Sequence, residues 1–136
     1  DAAPWWGFRF EAEGGDVVGF MTDTGVVTGE AHEALRGARL LALESNHDER
    51  MLWDGPYPYP VKRRVASDQG HLSNAQAAEE LKALLSDALE QVTALHVSQN
   101  NNTYRLPGEA LAEVVARAGH SARVQVARQD GLASMR

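Results

Sequence analysis

Residues 39–48 read RLLALESNHD, an apolar run that passes directly into a polar cluster. Its core, Leu40-Leu41-Ala42-Leu43, does not alternate, as expected of a strand covered on both faces in an α/β sheet. Working outward, each apolar run is closed by a Gly, Asn or Asp cluster and followed by a segment of helical period. Upstream, Gly7 to Glu13 reads as a strand that turns through Gly14-Gly15-Asp16 into a second strand, Val17 to Thr22, making a hairpin. Thr28 is placed to cap a helix from Glu30 to Arg36, which Gly37 closes, and the strand Arg39 to Glu44 follows. Downstream, the proline-rich WDGPYPYP, Trp53 to Pro60, reads as a stiff irregular loop, with the basic triplet Lys62-Arg63-Arg64 behind it. A helix from Asn74 to Asp87 carries the strongest signal. Ser73 and Gln76 have capping-box spacing, and Ala77, Leu81, Leu84, Leu85 and Ala88 share a face. Gln91 to Val97 is a further strand, Pro107 at the first helical position opens a helix ending at Gly119, and Val124 and Val126 mark a half-exposed edge strand. The reading is an α/β fold, a mixed sheet flanked by helices, with no repeat or linker dividing it.

The 136 residues and 14.8 kDa fit a single domain that buries roughly two thirds of its unfolded surface. Cysteine is absent, which excludes disulfides, thiolate zinc sites and a thiol nucleophile, so metal chemistry falls to histidine and carboxylate. With 13 Lys+Arg against 19 Asp+Glu, the net charge of −6 gives no overall basic footprint for nucleic acid or anionic lipid. No apolar run approaches the ~18 residues of a membrane span, and no basic or apolar leader precedes the first strand. The chain reads as cytoplasmic with no membrane partner. It opens with Asp1 and at once with PWWGFRFEAEG, as a piece entered midway reads.

In open α/β sheets functional groups gather beyond the carboxyl ends of the strands. Three such ends are polar: Thr22-Asp23-Thr24-Gly25, Glu44-Ser45-Asn46-His47-Asp48 and Leu95-His96-Val97-Ser98. His71 precedes the cap of the best helix. Two carboxylates, Asp23 and Glu44, and three histidines, His47, His71 and His96, on one rim are the inventory of an oxygen- and nitrogen-ligated metal site. The first turn of the helix after His71 favours an anion, so a histidine there suits a phosphate contact, with Glu44 as the acidic partner that fixes its tautomer. Each has a plainer reading: Asp23 as a turn cap, His96 as a hydrogen-bonded core histidine, His47 as a solvated loop residue, Lys62-Arg63-Arg64 as a solvated run, Asn100-Asn101-Asn102 as a turn. His32 and His120 read as surface or cap residues, and Trp5 and Trp6 as core or interface anchors.

TDTG, LLALESNHD, GHLSNAQAAEEL and LHVSQNNN, in that order, resemble the C-terminal half of a metallo-β-lactamase-fold hydrolase of the YycJ/WalJ-like branch, related to RNase Z. The resemblance covers nearly the whole chain. It implies one half of an αβ/βα sandwich, with Asp23 bridging two divalent ions, zinc or manganese, and His96 ligating one of them. His71, supported by Glu44, would contact the scissile phosphate or protonate the leaving oxygen, with His47, Ser73 and Ser98 at the rim or behind it. The implied activity is a nuclease on DNA or RNA. The family's HxHxDH signature is missing, so residues 1–136 read as one partial domain that binds metal weakly alone and is inactive in isolation. They would pair with an N-terminal half or a second copy across an uncovered sheet face. The alternatives are a non-catalytic α/β interaction module, or a same-fold hydrolase of small esters, thioesters or lactams.

Overall fold

The computed structural model describes residues 6–22 and 24–128, with Trp6 described by its backbone alone. Along the chain these form β1 (Trp6–Glu11), β2 (Val17–Thr22), α1 (Gly29–Leu35), β3 (Leu40–Glu44), α2 (Glu49–Asp54), α3 (Tyr59–Ala66), α4 (Asn74–Leu84), β4 (Gln91–Leu95), α5 (Arg105–Arg117) and β5 (Arg123–Val126). The strands lie in sequence order in one sheet. β1 runs antiparallel to β2 and the remaining pairs are parallel, so the carboxyl ends of β2, β3, β4 and β5 share one edge. The α/β class and the mixed sheet expected from sequence are both observed. Among the described residues no helix is long and apolar enough to cross a membrane.

One face of the sheet carries the core. Val17, Met21, Leu41, Leu43, Val92 and Ala94 point toward α1, α4 and α5, whose Ala31, Leu35, Ala77, Leu81, Leu111 and Val115 complete one buried cluster. The other face is open. Phe8 and Phe10 are more than half exposed and stack at 5.8 Å, and Phe8 lies 5.9 Å from Phe20. By register this face continues through Val18, Leu40 and Ala42 and turns polar at Gln91 and Gln125. The run Leu40–Leu43 is therefore covered on one face only: Leu41 and Leu43 are buried, Leu40 and Ala42 half-buried.

Local chemistry accounts for the remaining differences. Only residues 55–58 of the segment Trp53–Pro60 form the expected irregular loop; its two ends are helical. Trp53 lies in α2, which begins where the Asp48 carboxylate accepts from the Met51 N–H at 3.0 Å. Pro58 and Pro60 start α3, since proline presets helical φ and the N–H it lacks has no partner in a first turn. α5 likewise starts at Arg105, two residues before Pro107, with Thr103 Oγ1 accepting from Leu106 N at 3.1 Å. β4 stops at Leu95 because His96 takes φ +55°. α4 stops at Leu84, where Leu85 turns extended, short of Asp87. The hairpin, the Thr28 cap, the Ser73–Gln76 capping box and the positive φ of Gly37 and Gly119 follow the sequence reading.

Two glycines bring the exits of β2 and α3 together. Gly25 N–H donates to Asp68 O at 3.1 Å, and a side chain on Gly25 would collide with the Ser67 carbonyl. Gly70 is buried against the carbonyls of Arg64 and Val65, and His71 N–H donates to Val65 O at 3.0 Å. This contact sets where His71 leaves α3. Gly70→Ala is expected to lower unfolding free energy by about 1–3 kcal/mol in urea titration. Gly29→Ala at the exposed start of α1, where no atom lies within 4 Å, is expected to be neutral or slightly stabilising. Equal stabilities for the two variants would contradict this packing.

Candidate active site

Parallel pairing of β2, β3 and β4 delivers their polar carboxyl ends to one edge. Glu44, the last residue of β3, lies opposite Leu95 and is 0% exposed. Burying a charge is costly unless it is paired and hydrogen-bonded. Its Oε2 receives His71 Nδ1 at 2.6 Å and His96 Nδ1 at 2.7 Å, and its Oε1 receives the Thr24 N–H at 3.2 Å. One carboxylate thus ties the exits of β2 and β4 and the approach to α4 to the end of β3. His71 sits two residues before the Ser73 cap, at the positive end of α4. His96 is the one non-glycine residue with positive φ among the described residues, an uncommon backbone state that accumulates at functional sites.

Burial pushes the Glu44 carboxyl up, but the hydrogen bonds from His71 and His96, with their charge, outweigh it and hold the group below its ordinary value. An ionised carboxylate only accepts, so each Nδ1 donates and each Nε2 faces away from Glu44. The two rings are 5.0 Å apart and nearly perpendicular. One ligand atom from each of Glu44, His71 and His96 falls within a 4.8 Å cluster; with Glu44 Oε2 already bonded to both Nδ1 atoms, the Nε2 atoms are the ring nitrogens left to meet a divalent ion. Both histidines open on a polar cleft of about 280 Å³, also lined by Asn46, Tyr57, Ser98 and Asn100.

Of the residues singled out from sequence, Glu44, His71 and His96 meet. Asp23 and Trp5 lie outside the described residues, as does the side chain of Trp6. His47 is 2% exposed, behind the cleft, with Nδ1 3.3 Å from Asn46 Oδ1. Ser73 is buried: its Oγ accepts from Gln76 N at 3.1 Å and donates to Glu49 at 3.3 Å. Ser98 lines the cleft, its hydroxyl accepting from Asn101 N at 3.1 Å.

Sequence reasoning missed the amides that support the site. Asn101 and Asn102, which propensity identifies only as turn residues, are buried. Asn74 and Asn102 exchange reciprocal amide bonds at 2.9 Å, Ser45 Oγ donates to Asn74 at 2.7 Å, and Asn46 Nδ2 donates to the His96 carbonyl at 3.0 Å. This network braces the loops after β3 and β4 against the start of α4. The available signal was Asn46, Asn74 and Asn102, each next to a strand exit or helix cap.

A family model described as beta-lactamase superfamily domain matches residues 1–97. The chain is 35% identical over 99 residues to exodeoxyribonuclease YycJ of Bacillus anthracis, an alignment covering 73% of this chain and 38% of that protein. It is 33% identical over 98 residues to exodeoxyribonuclease WalJ of Streptococcus pneumoniae serotype 2 (strain D39 / NCTC 7466), covering 72% and 36%. The chain therefore spans less than two fifths of the length of these curated relatives. The metallo-beta-lactamase fold protein YhfI of Bacillus subtilis matches with a TM-score of 0.57 at 14% identity over 94% of this chain and 48% of that one, a likeness of fold alone.

Burial pushes the His47 imidazole below its ordinary value of 6.5, against the raising effect of Glu49, so the folded protein holds it neutral. The stability this contributes is complete above the unfolded value and is lost as pH falls from about 6.5 toward the lower folded value. In urea titrations at pH 7.5 and 5.5, the advantage of wild type over His47→Asn is expected to shrink at the lower pH. An advantage that stays constant or grows there would contradict the neutral buried ring.

Proposed function

This chain belongs to the family of beta-lactamase superfamily domains, and from that premise we propose that it is part of a metal-dependent phosphodiesterase acting on nucleic acid, DNA before RNA. The observation that carries the reading is the shared grip of one Glu44 oxygen on His71 and His96. The names of the two exodeoxyribonuclease relatives support DNA as substrate, and a cytoplasmic location is part of the same proposal. The cleft walls are rich in amides and hydroxyls, a lining that favours a phosphodiester over a small ester or lactam, whose pockets are mostly apolar.

In this proposal Asp23 and His96 Nε2 would hold metal, two zinc or manganese ions when the ligand set is complete. A bound divalent ion supplies positive charge to phosphoryl oxygens and makes hydroxide available near neutral pH. The chain's own residues do the rest. Glu44 keeps the Nε2 of His96 presented as a ligand atom and, by accepting the His71 Nδ1–H, turns the Nε2 of His71 away from itself. His71, beside the positive end of α4, places its Nε2–H toward a phosphoryl oxygen and gives the proton to the leaving oxygen. Asn46 anchors the carbonyl of His96, so the imidazole keeps its orientation while substrate enters the cleft.

The open Phe8, Phe10 and Phe20 face supports a further part of the proposal, that a second sheet covers it. That sheet would come from the part of the relatives' length that this chain does not span, or from a second copy. Residues 1–136 on their own are then incomplete for metal and for activity.

In the full-length protein, His71→Ala is expected to slow hydrolysis of bis(p-nitrophenyl) phosphate about 10²–10⁴-fold while metal content by mass spectrometry is retained. His96→Ala is expected to lose metal, and Glu44→Gln to weaken metal affinity about 10–100-fold. Full activity of His71→Ala would sink the assigned role. For residues 1–136 expressed alone, sedimentation velocity is expected to show self-association that Phe10→Glu abolishes. A monomer at all concentrations would contradict an apolar face that needs a cover.

A further inference from the structure

The pair α2 and α3, next to the cleft-lining Tyr57 and Val65, carries both exposed aromatic rings and positive charge. Trp53 and Tyr59 are 41% and 64% exposed, although both are large rings, and their centroids are 6.0 Å apart. The Arg63 guanidinium lies over the Tyr59 ring at 5.9 Å, and Lys62 Nζ donates to the Trp53 carbonyl at 2.6 Å. Residues 49–66 hold Arg50, Lys62, Arg63 and Arg64 against Glu49 and Asp54, a local excess of cations in a chain of net charge −6. Arg9, Arg36, Arg39, Arg105 and Arg117 are each paired with a carboxylate. The four cations of α2 and α3 have no carboxylate partner among the described residues.

The cleft meets this pair of helices at Tyr57 and Val65. Tyr57, between the two helices, accepts from Asn100 Nδ2 at 3.2 Å and lines the cleft with His71 and His96. Val65, near the end of α3, lines it too, and its carbonyl receives the His71 N–H. At 1.5 Å per helical residue, Tyr59 stands about 9 Å from Val65 along α3. Stacked nucleotides advance about 3.4 Å along a strand, so that distance corresponds to two or three nucleotides.

We propose that Trp53 and Tyr59 form a stacking platform for single-stranded nucleic acid, with Lys62 and Arg63 neutralising its phosphates, so that a strand leaving the cleft past Tyr57 is held on α2 and α3. This rests on the phosphodiesterase reading and adds the strandedness of the substrate and the path it takes. Exposed rings stack on any base, and cations beside them track the backbone, so binding is tolerant of sequence and weakened by salt. A duplex keeps its base faces stacked and does not offer them to the rings.

The test is fluorescence anisotropy of the full-length protein with a fluorescein-labelled oligothymidine of about twelve nucleotides, in EDTA so that nothing is cleaved, beside a duplex of the same length. Trp53→Ala and Tyr59→Ala are each expected to raise Kd roughly fivefold or more. Lys62→Ala and Arg63→Ala should reduce the salt dependence by about 0.7 in log–log slope for each phosphate that is no longer neutralised. Arg117→Ala, on α5 and paired with Glu113, should alter neither. Wild-type affinity in both aromatic variants overturns the platform, as does duplex binding as tight as that of the single strand, or no binding by wild type. Wild-type hydrolysis of bis(p-nitrophenyl) phosphate reads the reaction separately: its absence with oligothymidine binding intact and aromatic-dependent sinks the catalytic proposal and supports the platform.

Discussion

A carboxylate with no exposure to water, placed at the end of an interior strand, is the constraint on which the rest of the site depends. Glu44 is tolerated there because three donors from three different segments converge on it: two imidazoles and the Thr24 backbone N–H. Removing any of them leaves charge uncompensated in a buried place, which is why the loops after β2 and β4 and the approach to α4 are held in one arrangement. The same bonds that make burial possible leave both Nε2 atoms directed away from Glu44. Stability and chemistry thereby rest on one set of contacts.

That arrangement was readable in part from sequence. The unbroken apolar run Leu40–Leu43 followed by Glu44 marked a strand with a polar end, though one covered on a single face and not on both, and the Ser73–Gln76 spacing located the start of α4, so His71 fell at its mouth. The convergence of Glu44, His71 and His96 follows from parallel order, which places successive strand ends on one edge. What stayed hidden depends on contacts distant in sequence. Asn74 and Asn102 look like cap and turn residues until they are opposite each other, and the bond between them is a tertiary one. Pro56 and Pro58 are loop residues as expected, but Pro60 is helical, because proline serves equally to break a helix and to begin one. Only the Asp48 cap and the first-turn position of Pro60 decide between the two.

The helical form of Tyr59–Ala66 bears on how its cations are placed. As a solvated run, which the exposure of Arg63 and Arg64 bears out, Lys62-Arg63-Arg64 has no evident tie to the cleft in the sequence. On a helix whose last turn is hydrogen-bonded to His71 through Val65, they would stand along the approach to it in the proposed platform. An acidic protein can hold a polyanion where its unpaired cations are gathered, since at physiological ionic strength charges more than about 8 Å away are largely screened. Net charge therefore describes the average surface, while the local distribution governs binding. The open Phe8–Phe10 face makes the same point for hydrophobicity: alternation in β1 and β2 is apolar on the side away from the helices, so the folded unit retains a surface suited to another sheet.

The central claim is that Glu44 accepts from Nδ1 of both His71 and His96. Long-range ¹H–¹⁵N correlation NMR of histidine-labelled protein reads this directly, since it distinguishes the two nitrogens of each ring. The account predicts that both rings carry Nδ1–H, with strongly hydrogen-bonded, slowly exchanging protons that Glu44→Gln removes together. Rings protonated only at Nε2, or an Nδ1–H signal unaffected by Glu44→Gln, would contradict it.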